Sequence, residues 1–494
     1  MYSILFCNFV AEMSENNLKD KTAKGLLWGI LNNGTVQLLG ALFGILLLRK
    51  LVPSDYGKIA MLLVFANIAS TLQESGFTAA LCNKKEPSDR DYNAVFWFNI
   101  GISALLYVML FLSAPLIARF YDDPDLIPLA RFLFLGFFIS SWGTVQRAYL
   151  FIHLMNRQTC IIAILSLLVS GTTGVILAYQ GMAYWALAAQ NVVFILCVAL
   201  LNWYYSPWRP SFKIDLRPAW EMFGFSSKLL LTNLFNNLNA HAFGVLLGKF
   251  YGDYQAGIYS NARKWDDMCI NTINGMVTGV AQPVLTQVRD DQDRYRQVFR
   301  KMLRFVSFIS FPAMLGMGLI AKEFLLIVGG EKWVDSAILL SMLSIYGAFF
   351  PITTLYSNLT ISQGRSNINF WCTVTICVII WAGLILLHPW GLKAMVSFFI
   401  IVNILWLLVW HYFAWRLIRL SLIDVIKDTA PFLVFSVLVM ALSWGMTRPI
   451  SNLWLLLVCK VILAAVLYVG ILWVCKARIL RESLEYLGIT KRKG

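Results

Sequence analysis

Residues Phe370–Leu387 read FWCTVTICVIIWAGLILL, without a single charge. Lipid offers no hydrogen-bond partner to an unpaired backbone amide, so an apolar run of about 18 residues or more reads as a membrane-spanning helix. Just downstream, Leu392–Trp415 repeats the pattern, interrupted only by Lys393 and His411. Worked outward from there, such blocks recur along the chain. They predict helices at 24–48, 57–81, 93–118, 127–150, 159–178 and 183–204. A polar stretch with Pro207, Pro210 and Pro218 follows. A second set lies at 221–248, 257–285, 301–328, 335–362, 369–387 and 392–415, with a final pair near 430–447 and 453–475. The chain is 59% hydrophobic and 14% charged, with a mean hydropathy of +0.68. Soluble domains average about 45–50% apolar and about 25% charged. The fold class is therefore an all-α polytopic membrane protein with about 14 transmembrane helices and little folded outside the bilayer.

The net charge of +15 sits between the apolar blocks rather than on one face, so it reads as topology and implies no nucleic-acid partner. With the N-terminus inside, the inner loops carry 26 Lys and Arg against 10 outside, which makes both termini cytoplasmic. The nine Cys form no CxxC pair and no zinc spacing with His, and most lie within apolar runs as small packing residues. The opening MYSILFCNFVAE lacks the basic start and long apolar core of a signal peptide, and Met13 offers an alternative start.

An internal repeat is visible at a shift of 200 residues without gaps. Leu31, Asn33, Leu38, Phe43, Gly44, Leu46, Leu47 and Gly57 land on Leu231, Asn233, Leu238, Phe243, Gly244, Leu246, Leu247 and Gly257. Six helices separate the copies, so the repeats are parallel and face a central cavity, an architecture that transporters use. The expected organisation is a tail at 1–20, an N-lobe at 21–204, a cytoplasmic linker at 205–220 and a C-lobe at 221–416. Two more helices and a basic tail occupy 417–494.

Asn33 and Gln37 on the first helix, and Asn233, Asn237 and His241 on its counterpart, recur every fourth residue and form polar stripes. Two readings are open: glue between helices, or a hydrated cavity that binds hydroxyl-rich ligands. Gly40/Gly44 and Gly244/Gly248 on the same helices are GxxxG pairs, which favour close helix approach. Charges within apolar segments are informative because each costs about 2.5–3.5 kcal/mol on insertion scales. Arg263 and Lys264 with Asp266 and Asp267 read either as an internal ion pair or as a cationic contact for an anionic headgroup. Lys228 and Arg304 lie near inner helix ends, where snorkelling suffices. Glu74 is a candidate ion-coupling carboxylate, with Asp266 and Asp267 as further candidates. Arg49 and Lys249 are expected as rim cations. No catalytic or metal site emerges: the four His do not converge, and HExxH, GxSxG and dinucleotide fingerprints are absent. No cofactor is implied. Short outer loops argue against a membrane-embedded glycan ligase or polymerase.

KTAKGLLWG at 21–29, LLRKLVPSDYG at 47–57, AGIYSNA at 256–262 and Gln146-Arg147 together resemble the Wzx-type polysaccharide flippases. These form the exopolysaccharide-exporter branch of the superfamily that also holds MATE drug exporters and lipid II flippases. The resemblance implies an undecaprenyl-diphosphate-linked oligosaccharide, flipped from inner to outer leaflet by alternating access through a cationic cavity. Arg263, Lys264, Arg49 and Lys249 would supply the cations. It also implies membrane lipid, a coupling ion (H+ or Na+) and polysaccharide polymerase machinery as partners, in the bacterial inner membrane. The alternative within transport is a MATE-like ion-coupled exporter of small molecules. That site would show unpaired acids, whereas Asp266 and Asp267 stand beside Arg263 and Lys264. The topology is directly testable: a reporter active only outside the membrane is expected to be active fused after Pro53 or Asp253 and silent after Arg217. Activity after Arg217 removes the parallel-repeat arrangement.

Overall fold

The computed structural model describes residues 16–74, 81, 84, 87–212 and 215–475. Among these residues it contains long α-helices and no strand. They are α1 (Asn16–Lys50), α2 (Pro53–Glu74), α3 (Asp89–Tyr121), α4 (Leu126–Ile152), α5 (Asn156–Tyr179), α6 (Tyr184–Tyr205) and α7 (Arg217–Gln287). There follow α8 (Gln292–Gly329), α9 (Val334–Ser362), α10 (Ser366–Leu387), α11 (Leu392–Ile418), α12 (Leu422–Thr447) and α13 (Leu453–Val474). Among the described residues, ten helices are long and apolar enough to cross a membrane. α7 is broken into two arms at Gly252, whose φ of 81° is a conformation that glycine alone adopts readily.

Helix ends follow local chemistry. Pro53 opens α2, where its missing N–H costs nothing, and Asp55 accepts a 2.9 Å hydrogen bond from the Val52 amide. Ser88 and Asp91 form a capping box on α3. Asp291 caps α8, and Asn452 caps α13.

The chain divides into two compact units, one up to Ser260 and one from Asn261 onward. In the first, α1 packs on α5, α3 on α4, and α6 on both α4 and α5. Phe43 of α1 fills the space left by Gly171, where a Cβ would lie 2.3 Å from its ring. The segment before α7 is docked rather than free. The Trp208 ring is buried beside Tyr92 and Phe96, Ser211 N donates to Asn93 Oδ1 at 2.8 Å, and Trp97 Nε1 donates to Ser211 O at 2.8 Å. Arg90 Nε donates to Asp215 at 2.8 Å, and that bond holds the Asp215 carboxyl below the usual carboxylate range.

In the second unit α8 is the central post, against which α9, α12 and α13 all pack. Three tiers fix the last helix pair to it. At one end Asp428 of α12 accepts from Arg300 Nε at 2.6 Å and from Arg304 Nη1 at 3.4 Å. In the middle Phe308 lies between Phe432 and Tyr468, and Tyr468 Oη donates to the Phe308 carbonyl at 2.9 Å. At the far end Lys460 Nζ meets Glu323 Oε1 at 2.7 Å, with both side chains less than a tenth exposed. Arg304, expected to snorkel, is thus bound to a partner.

Breaking a buried pair by removing one partner costs about 3–5 kcal/mol, whereas replacing both by apolar residues is often neutral. Glu323→Leu or Lys460→Leu alone is expected to lower the thermal stability of the purified protein sharply. The double variant is expected to recover most of it. Equal loss in all three would show that the pair is not what holds α13 in place.

Candidate functional site

Within the first unit, α2 and the first arm of α7 run antiparallel in constant register. Starting at the α1–α2 turn, Gly57 meets Asp253 and Met61 meets Gly248. Gly244 then lies against Val64 and Ala60. One further turn along, Asn67 Nδ2 and His241 Nε2 are 2.9 Å apart, and Asn237 Nδ2 donates to Thr71 Oγ1 at 2.6 Å. Glycines allow the backbones together over one half of the seam, and hydrogen bonds join them over the other. α2 also turns a buried side chain the other way: Gln73 Nε2 donates to Thr144 Oγ1 at 3.3 Å, and its Oε1 accepts from Ser140.

The tight end of this seam is reciprocal. A Cβ on Gly57 would lie 1.8 Å from the carbonyl oxygen of Asp253, and a Cβ on Gly257 would lie 1.8 Å from that of Pro53. Glycine and oxygen exchange roles across positions 200 apart in each case. No residue but glycine fits either place.

The sequence-selected residues therefore separate. Asn237 and His241 are bonded to α2, whereas Asn33 and Asn233 are exposed and Gln37 is half-buried. Lys249 is paired with Asp122 at 3.0 Å, and Arg49 is exposed. Glu74 closes α2, and its side chain, like that of Lys228, lies outside the described residues.

The second unit holds the charged cluster. Arg263 Nη2 is 2.9 Å from Asp267 Oδ1, and Nη1 is 3.9 Å from Asp266 Oδ2, beyond hydrogen-bond reach. The guanidinium also lies 5.2 Å from the Tyr346 ring centre, a cation–π contact. Asp266 is fully buried, and neither carboxylate oxygen has a hydrogen bond among the described residues. It fits because Gly347 has no side chain; a Cβ there would be 2.9 Å from its Oδ1. Lys264 makes no ion pair among the described residues. Nearby, Asn261 Nδ2 donates to Ser336 Oγ at 3.2 Å, which ties this arm of α7 to α9, and Asn261 Oδ1 accepts from Trp265 Nε1 at 3.0 Å.

A model of the family described as polysaccharide biosynthesis protein matches residues 46–338, more than half of the chain. The chain belongs to this family. It is similar to the teichuronic acid biosynthesis protein TuaB of Bacillus subtilis (strain 168), with 28% identity over 345 residues and 69% of each chain covered. It is also similar to the lipopolysaccharide biosynthesis protein WzxC of Escherichia coli (strain K12), with 26% identity over 360 residues and 72% of each covered. Its fold resembles that of the lipid II flippase MurJ in an inward closed conformation. The TM-score is 0.74 at 12% identity, covering 94% of this chain and 100% of that one. Together these make it a multi-pass membrane protein of the polysaccharide biosynthesis family with a MurJ-like fold.

Several residues that matter to this family member escaped sequence reading. Asn67 and Thr71 look like isolated polar residues in an apolar run, and only the register of α2 shows what they meet. Tyr346 and Gly347 carry no charge to mark them. Lys460 was findable, as the lone cation in the middle of the apolar run 453–475.

The glycine contact yields a test. Overpacking costs about 1–3 kcal/mol, and here the obstacle is backbone. Gly57→Ala or Gly257→Ala is expected to force positions 57 and 253, or 53 and 257, apart and to expose Met61, now 2% exposed. A cysteine at Met61 should then react faster with an impermeant maleimide, above the background of the parent chain. Unchanged reactivity would mean that the contact is not what closes this end.

Proposed function

We propose that this protein moves a lipid-diphosphate-linked oligosaccharide from the inner to the outer leaflet of the bacterial inner membrane by alternating access. The observation that carries this reading is the Arg263 cluster. A guanidinium at membrane depth must be hydrated or paired while it waits. Half-exposed Asp267 and buried Asp266 serve as provisional partners. An incoming diphosphate competes for the same fork with more charge and with geometry suited to bidentate bonding. Lys264, without an ion pair among the described residues, adds a second cation on the same arm.

In this reading fourteen helices cross the membrane, the two arms of α7 counting separately, with both termini cytoplasmic. Six-helix repeats at 21–204 and 221–416 surround the cavity, the linker at 205–220 joins them, and 417–494 is an appended pair and tail. The reciprocal Gly57/Gly257 contact supports a repeat with two-fold-related ends. Exposed Asn33 and Asn233, with Gln37, meet the sugar hydroxyls, while Asn237 and His241 hold the closed seam and join the cavity when it parts. Arg49 stands at the rim. Coupling to H+ or Na+ falls to Glu74, Asp266 or Asp267, and the polysaccharide polymerase machinery receives the product.

The test is appearance of a labelled lipid-diphosphate oligosaccharide in the outer leaflet of vesicles containing each variant. Hydrogen bonds to charged groups are worth about 1.5–3 kcal/mol, so Arg263→Ala should slow flipping by about 10- to 100-fold. Arg263→Lys should retain part of the rate, since charge survives without the fork. Arg304→Ala should be milder, because Arg300 still holds Asp428. Wild-type flipping by Arg263→Ala overturns the headgroup site. Failure of the unmodified protein to flip any such lipid points instead to small-molecule export.

A further inference from the structure

α3 ends against the α2–α7 seam. Tyr121, in its last turn, is buried on that seam: its ring edge would be 2.8 Å from a Cβ on Gly248, and it packs edge-on to Phe65 of α2. The chain then turns through Asp122-Asp123-Pro124-Asp125. Asp122 adopts a left-handed φ of 59° and ends the helix with its amide directed at the Ala118 and Arg119 carbonyls. Its carboxylate takes Lys249 of α7 at 3.0 Å. Asp123 and Asp125 both take Lys58 of α2, at 3.0 and 2.8 Å. Lys58 is the residue after Gly57, at the tightest point of the seam, and its ammonium also lies 4.9 Å from the Tyr184 ring centre. Lys249 lies 5.3 Å from that of Phe120. One short turn thus grips both helices of the seam, one lysine from each.

We propose that Tyr121–Asp125 is an ionic clasp that holds the outer end of the α2–α7 seam shut, with Lys58 and Lys249 as its positioning residues. This rests on the alternating-access reading above and on the charge bias that places this end outside. It reassigns Lys249, which sequence reading placed at the substrate rim. A lysine already shared with Asp122 in a turn of three aspartates is a poor attractor for a diphosphate. The clasp is one-sided. The glycine contact is reciprocal, but 200 residues after Lys58 stands buried Ile258, and 200 after the acidic turn stand Lys322-Glu323-Phe324-Leu325, inside α8. Closure by shape is therefore reciprocal between the two halves, whereas the acidic turn that takes Lys58 and Lys249 has no counterpart 200 residues on. A closed mouth held only by packed glycines has little to bias it, because lipid supplies no hydrophobic drive between helices. Partly exposed ion pairs give such a bias in a form weak enough to be released on each cycle.

The experiment reads reaction of Met61→Cys with an impermeant maleimide added from outside, in the full-length protein and without substrate. Exposed pairs contribute modestly, so Lys58→Glu is expected to raise the labelling rate by about 3- to 10-fold. Lys58→Gln is expected to raise it less. Adding Asp123→Lys and Asp125→Lys to Lys58→Glu is expected to return it toward the parent rate, which a merely misfolded variant would not do. Membrane levels are compared by a tag. Labelling unchanged by Lys58→Glu, or not restored by the reversed pair, overturns the clasp. Because the readout needs no glycolipid, failure of the transport reading would show separately, as a clasp intact by labelling in a protein that flips no lipid-diphosphate.

Discussion

Two backbone carbonyl oxygens, those of Pro53 and Asp253, lie where any residue but glycine at 257 and 57 would place its Cβ. This constraint sets the rest of the first unit. With the backbones in contact at the α1–α2 turn, α2 and the first arm of α7 must run side by side. Gly248 and Gly244 then continue the close approach, and Asn67, Thr71, Asn237 and His241 must find each other or remain unsatisfied in lipid. Close packing and hydrogen bonds are the forces that associate helices in a membrane, where apolar surface gains nothing from meeting more apolar surface. The seam uses both in turn along its length. A contact made of shape at one end and of exchangeable hydrogen bonds at the other can part without leaving a charge stranded.

How much of this was legible in the sequence differs by kind of force. The apolar runs announce the helices because lipid forbids any other spanning backbone, so their existence was readable; some ends were too, α9 (Val334–Ser362) and α13 (Leu453–Val474) lying within a residue of the expected 335–362 and 453–475, and others were not. α2 begins at Pro53 rather than 57, and α12 at Leu422 rather than 430, because charged interfacial residues such as Asp424 and Asp428 still have helical neighbours to bond. α8 runs to Gly329 through Lys322 and Glu323, as the expected helix at 301–328 has it, and Lys460 receives the Glu323 carboxylate inside the helix bundle. The polar stripe at 233, 237 and 241 was visible as a period of four, but period gives no partner. Whether an amide meets a partner depends on the helix opposite: Asn237 meets Thr71, whereas Asn233 is exposed.

The same distinction sorts the charges of the second unit. Lys460 and Glu323 are bound to each other: 2.7 Å apart, both almost wholly buried, with Lys460 also donating to the Leu319 carbonyl at 3.3 Å. Arg300, Arg304 and Asp428 are similarly mutual. Such sets select one docked arrangement of helices, because removing either member of the Lys460–Glu323 pair leaves a buried charge, and Asp428 is held by two arginines at once. They suit a part that moves as one body with its neighbours.

Arg263 is held differently. Its short contact is with Asp267, whose side chain is 41% exposed, and its contact with buried Asp266 falls beyond hydrogen-bond distance. Asp266 is therefore electrostatically engaged without hydrogen bonds, beside a glycine that leaves it space. Each unmade bond to a buried carboxylate forfeits more than an ordinary hydrogen bond provides. In the transport reading proposed above, that gap leaves the guanidinium open to an anion that offers better geometry than either aspartate. The two clusters of this unit differ in the reach of their cations: the Lys460 ammonium is within hydrogen-bond distance of both the Glu323 carboxylate and the Leu319 carbonyl, whereas the Arg263 guanidinium is within it of Asp267 but not of Asp266.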